Sequence, residues 1–436
     1  MEDLIGLFER YTRGLPSCGL YREWCGITLV AGALERRVWA VTYGIQTWPN
    51  LFVMLVGPPG AGKKTIHTVR DLWRKTRSPA GERVFHVGRK SYSKASLMDD
   101  MAEARKVFIP PSGSDPQIYH CLLIAAEEFG SLFPIFDNEL LAALTDLWNA
   151  DEVYDERRRA SDIKSLSIEF PLATGLFGYQ PAMMAQTMPA TAWDQGFMRR
   201  TVMIWNDKPD LKSLFDSPYL DQDLESKILD RMWGLSNLWG FMKWEAPAAA
   251  KIDTWHLASE GDQSPYGPPR PAHVRLISYN NTRSHLAIKL AMVASASESD
   301  DLVIRVRHVE RAFDWLHRTE ARMPDVFRAM TGDSDDALIT EMHNWMVGVY
   351  AKQRPKPIHG SLLYTFLKAR IPVHKISTII QVMERSAMIA RDEGTDFWRP
   401  LVGSRPSAHP GPVPRPSIAS ESAPSPLRPV AGSSKP

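Results

Sequence analysis

Residues 51–65 read Leu-Phe-Val-Met-Leu-Val-Gly-Pro-Pro-Gly-Ala-Gly-Lys-Lys-Thr. The run Leu51 to Val56 is apolar, lacks helical alternation and stops at a Gly/Pro cluster. Such a run predicts a buried, parallel-sheet strand. Gly57, Pro58, Pro59, Gly60, Ala61, Gly62 and Lys63 then fit the pattern G-x-x-x-x-G-K. Beyond them Ile66, Val69, Leu72 and Trp73 are spaced for a helix packed back on the sheet. Strand, glycine loop and helix in this order let backbone N–H groups converge on phosphate oxygens, with the positive end of a helix behind them. Lys63 is placed to reach the β- and γ-phosphates. The alternative is a chance Gly/Pro turn.

The position after this lysine normally carries Ser or Thr, whose hydroxyl holds Mg²⁺. Here it is Lys64, and the first hydroxyl follows at Thr65. The expectation is a nucleotide site with altered metal ligation.

A second stretch, Leu122-Leu-Ile-Ala-Ala-Glu-Glu-Phe-Gly-Ser-Leu-Phe133, is an apolar strand ending in two carboxylates. It resembles a Walker B element. By position Glu127 takes the metal, and Glu128 orients the attacking water. The first acid is ordinarily Asp, so Glu127 is a second departure at the same cation. The bland reading is a strand end with two solvated acids.

The 436 residues suffice for two or three domains. Hydrophobic residues make up 44%, ordinary for a globular chain. The longest apolar run is far below the ~20 residues a membrane span needs. The first ten residues carry acids where a signal peptide carries bases. Three cysteines, Cys18, Cys25 and Cys121, lack paired spacing and predict reduced thiols without a zinc site. The expected location is therefore the cytoplasm. A net charge of +2 neither suggests nor excludes nucleic acid.

Five segments are expected. Residues 1–50 are helical with a short strand near 38–43. Residues 51–206 alternate strands and helices as an α/β core. Residues 207–332 hold a mixed linker and two helical stretches. Residues 333–400 read as a winged helix, with a third helix from Pro372 to Arg385 and a wing turning at Glu393-Gly394. Residues 401–436 are rich in Pro, Ser and Ala and predict a disordered tail.

The order of blocks, from "GLPS" and "VAGALERRVW" through "PNLFVMLVGPPGAGK", "SKASLMDDMAEA", "AAEEFG" and "LTDLWNADEVYDERRR" to "AWDQGFMRRT", resembles AAA+ helicase-like ATPases of phages and prophages. The resemblance covers roughly residues 1–330. The motif order is also similar to that of minichromosome-maintenance helicases. It implies ATP and Mg²⁺ as cofactors, a homo-oligomeric ring of the hexameric kind, DNA as partner, single-stranded or forked, and other replication proteins. If the chain is phage-encoded, the compartment is the bacterial host cytoplasm. A slow-turnover helicase loader and a winged-helix DNA-binding initiator are the rival expectations.

The same resemblance implies roles for further residues. Thr174, in the stretch Ile168–Gln180 that reads as an apolar strand followed by a glycine loop, is the first candidate for a polar sensor, and Gln180 the second. Arg200 stands where an arginine finger would reach a neighbour's γ-phosphate, with Arg199 as its alternative. Residues 154–168 fit a pore hairpin, whose turn Ala160–Asp162 gathers Arg157, Arg158, Arg159 and Lys164 toward phosphates. Arg283, or else Lys289, is the second sensor on the helical lid. His285 beside them reads as a packed or surface histidine. Lys375 lies on the outward face of the third helix of the winged domain, and DNA contact there stands against simple packing on a neighbour.

Overall fold

The computed structural model describes residues 2–401 apart from 111–112, 114, 133–137, 149–152, 158–164, 189–192, 194–195, 214, 216–220, 261–269, 272, 332–333, 353–355, 369–370 and 372. The chain divides into two compact units, Met1–Asp333 and Ser334–Pro436. Residues 1–50, 51–206 and 207–332 thus share one body. Among the described residues no helix is long and apolar enough to cross a membrane.

The first unit is α/β, built on a five-stranded sheet. Its order is Arg105–Phe108, Gln117–Ala126, Pro171–Tyr179, Phe52–Val56 and Thr201–Trp205. The last four strands run parallel, and Arg105–Phe108 pairs antiparallel on the edge. Phe52–Val56 and Pro171–Tyr179 are buried at every residue, as parallel strands covered on both faces must be. Phe52 sits among the rings of Trp148, Phe177 and Phe197, with centroids 5.0, 6.4 and 5.3 Å away.

The register fixes where the strands end. Val56 pairs with Tyr179 on one side and Trp205 on the other, and Ala126 pairs with Phe177. Four carboxyl ends therefore meet along one edge of the sheet. In open α/β sheets ligands bind outside those ends, where the strand order reverses.

The opening helical segment is two helices, Leu4–Tyr11 and Gly19–Leu34. The second is buried from Trp24 to Leu34 all around, so it lies inside the body instead of on its surface. Trp24 Nε1 donates to Thr319 Oγ1 at 2.8 Å, and the Tyr21 hydroxyl donates to Val56 O at 2.7 Å. The strand expected near 38–43 is Val38–Thr42. It turns through Tyr43 and Gly44, φ +53° and +74°, into Ile45–Thr47. Two consecutive positive φ values suit a two-residue hairpin turn. The helical stretches expected in residues 207–332 include Arg283–Glu298, Val306–Glu320 and Met323–Thr331.

The second unit has its own core of Met342, Leu363, Ile376, Ile379, Met383 and Ile389. Helices Ser334–Lys352, Gly360–Lys368 and Val373–Arg385 accompany a three-stranded antiparallel sheet, Ile358–His359, Phe397–Pro400 and Ile389–Arg391. The expected tail lies outside the described residues.

Candidate active site

The loop after Val56 is shaped by two glycines. A side chain on Gly57 would come within 2.3 Å of Asn206 O and 2.6 Å of the Tyr21 hydroxyl. Gly62 has φ +89°, and a Cβ there would fall 2.3 Å from Pro16 O. Only glycine allows both the left-handed backbone and the close passage of residues 16–17. Pro58 and Pro59 form the outer rim, and Ala61 is buried under it.

Lys63 is buried to 5% exposure, and its ammonium donates to Gly57 O at 2.7 Å and Tyr179 O at 3.3 Å. Burial holds its pKa below the ordinary lysine value, while Glu128 and then Glu127 pull it back up. The lysine thus lies within the field of both carboxylates. Lys64 is exposed and is the N-cap residue of helix Thr65–Lys75. Thr65 is 1% exposed, and its hydroxyl has no hydrogen-bond partner among the described residues.

Glu127 and Glu128 follow the end of strand Gln117–Ala126, beside the loop strand's neighbour. Gln180 Nε2 donates to Glu128 Oε1 at 2.9 Å. His67 Nε2 lies 2.7 Å from Glu127 Oε2. His67 is a member of this cluster that the motif pattern does not name. Its signal in the sequence is its place in the first turn of the helix that follows the loop, close behind Lys63.

Thr174 does not belong to this cluster. It pairs with Leu123 in mid-strand and is fully buried. At strand rise the span from Leu123 to Glu127 is about 13 Å. Thr174 is therefore set too far back in the sheet to meet the acids, and Gln180, just past the strand end, holds the tip position.

Arg283 and Lys289 are also corrected. Arg283 is 1% exposed and grips Glu320 with two bonds, Nε to Oε1 at 2.7 Å and Nη2 to Oε2 at 2.6 Å. Trp255 covers the guanidinium at 4.9 Å. Lys289 donates to Trp48 O at 2.7 Å and Asn50 Oδ1 at 2.5 Å, over the Trp148 ring. Both cations tie helix Arg283–Glu298 to the elements packed around it.

Arg199 and Arg200 close the short helix Gly196–Arg200, at the start of strand Thr201–Trp205. Arg200 bends back to Gly196 O at 3.1 Å, and burial, with Arg199 beside it, lowers its pKa to about 10. Arg199 is the exposed one. Phe52 pairs with Thr201, at the amino end of the loop strand. Both arginines therefore lie a strand length, about 13 Å or more, from the loop of their own chain.

The hairpin is present as Tyr154–Arg157 paired with Ser165–Ile168, and Arg157 is exposed at its outer end. Arg158, Arg159 and Lys164 lie outside the described residues. Lys375 is exposed on helix Val373–Arg385. Glu384, Asp392 and Glu393 line a cavity of about 490 Å³ at the adjoining turn, beside Arg391.

A cavity of about 560 Å³ opens between Val41, Tyr43, Ile252, His256, Ser284 and His285. Neither the glycine-loop residues nor Glu127 and Glu128 line it; Asp253 is the acid on its wall, and among the described residues no lysine or arginine faces it. Burial, with Lys289 and Arg200 nearby, presses the pKa of His285 down to about 3.

No family model matches this chain, and no curated protein matches it.

Proposed function

We propose that this chain is an AAA+ type ATPase that acts on DNA as an oligomer, as a helicase or translocase. The observation that carries the reading is the convergence of Lys63, Glu127 and Glu128 on one edge of a parallel sheet, over a loop that only glycines can form.

The residues fit the groups the reading requires. The buried hydroxyl of Thr65, without a partner among the described residues, and the carboxylate of Glu127 suit a divalent cation beside phosphates. ATP and its cation supply a γ-phosphoryl group open to in-line attack. Lys63 exchanges the Gly57 and Tyr179 carbonyls for phosphate oxygens. Glu128 orients a water and accepts its proton, and Gln180 holds that carboxylate in place. Arg199 and Arg200, remote from their own loop, serve a neighbouring copy, which makes the active form an oligomer; Arg199 is the better finger because it is exposed.

The DNA part of the reading rests on the hairpin immediately before strand Pro171–Tyr179 and on exposed Arg157. Helix Val373–Arg385 with the turn after Arg391 reads as a winged helix. Its acidic Glu384, Asp392 and Glu393 disfavour phosphate contact at the wing, so the core carries the DNA contacts. Exposed Lys64, standing where a metal-binding hydroxyl belongs, favours the second reading, a slow-turnover loader. Nucleotide binding, particle mass with a non-hydrolysable ATP analogue, and strand displacement on forked DNA test the proposal. Wild type should bind, assemble and unwind, and Lys63→Ala should do none of these. A wild type that binds ATP and assembles without unwinding supports the loader instead.

A further inference from the structure

His67 and Glu127 present a nitrogen and an oxygen 2.7 Å apart on adjoining elements, the first turn of helix Thr65–Lys75 and the end of strand Gln117–Ala126. Neighbouring ligands of an octahedral cation lie about 3 Å apart when each bond is near 2.1 Å. A small opening of this pair therefore makes it a chelate. His67 is fixed in the helix by its N–H bond to Lys64 O at 2.9 Å. Its Nδ1 has no hydrogen-bond partner among the described residues, so no donor there pins the ring proton on Nε2. The side chain of Lys64 is turned to solvent and offers no oxygen.

Resting on the ATPase reading, we propose that His67 Nε2 and Glu127 form a mixed nitrogen–oxygen ligand pair for the cation that accompanies the nucleotide, so that the site selects Mn²⁺ or a similar transition cation over Mg²⁺. Imidazole suits first-row transition metals, whereas Mg²⁺ prefers an all-oxygen shell and keeps its waters. The usual hydroxyl would leave such a shell intact. Its replacement by Lys64, with a histidine entering from the next turn position, changes the donor set. The remaining coordination positions fall to the Thr65 hydroxyl, phosphate oxygens and water, which makes cation binding depend on the nucleotide.

The test uses the full chain labelled with ¹⁵N-histidine, Mn²⁺ and a non-hydrolysable ATP analogue. Pulsed electron paramagnetic resonance should show a ¹⁵N coupling on bound Mn²⁺, and the coupling should vanish in His67→Asn. In wild type Mg²⁺ should displace Mn²⁺ at least about tenfold less readily than in His67→Asn, the scale on which metal-site neighbours act. A fluorescent ATP analogue and a thermal melt establish that His67→Asn still binds nucleotide and folds; if it does not, the wild-type ¹⁵N coupling decides alone. Bound Mn²⁺ without histidine coupling, on a protein that binds nucleotide, overturns the inference and leaves the ATPase reading standing. A wild type that binds no nucleotide overturns both.

Discussion

Gln180 Nε2 donates to Glu128 Oε1 across 2.9 Å, joining the carboxyl ends of two neighbouring parallel strands. An amide donor leaves a carboxylate charged but fixes which oxygen faces outward. Gln180→Ala should therefore lower kcat about tenfold or more while KM for ATP changes little, the pattern of an interaction made chiefly in the transition state. Steady-state phosphate release measures it. A raised KM with unchanged kcat would assign Gln180 to binding alone.

The Arg283–Glu320 pair is structural in this account. Glu320→Ala leaves a guanidinium buried without its carboxylate, and such losses cost about 3–5 kcal/mol. Urea unfolding should show that drop. Hydrolysis per folded molecule should stay near wild type, whereas a second sensor would lose turnover without losing stability.

Much of the core was legible in the sequence because its signals are local. Leu51 to Val56 and the glycines after them fix a strand and a loop within one short stretch, and Glu127 and Glu128 end another apolar run. The failures share a cause, which is contact across the fold. Thr174 and Gln180 are both polar and near a strand end in sequence, and only the pairing of Thr174 with Leu123 shows which reaches the acids. Arg283 looked free on its helix because Glu320 stands on another one. His67 had a place in the helix after the loop but no visible partner until the acidic strand was laid beside it.

Stability should fall in mild acid. Burial, with Lys289 and Arg200 nearby, depresses the pKa of His285 from 6.5 to about 3. The unfolded chain binds this proton below about pH 6.5 and the folded chain does not, so stability is complete above that pH and declines as pH falls toward 3. His120, His273, His308 and His317 are lowered too and add to the slope. His285→Asn should therefore flatten, without abolishing, the dependence of the melting temperature on pH between 6.5 and 4. An unchanged slope would mean that His285 is protonated in the folded protein.

Lys64→Thr restores a hydroxyl at the position that ordinarily binds the cation. Turnover should rise about tenfold, equivalent to ~1.4 kcal/mol of barrier. The Mg²⁺ concentration at half-maximal rate should fall with it. No change in either would show that Thr65 already supplies the missing oxygen.

The central claim is that Lys63, Glu127 and Glu128 form a site for ATP hydrolysis. Glu128→Gln tests it most directly, because the substitution removes the water-orienting charge and keeps the shape. ATP binding and single-turnover phosphate release are measured on the same preparation. The account predicts binding within about threefold of wild type and release slowed about a hundredfold or more, within the range general-base catalysis supplies. Release at the wild-type rate would contradict it.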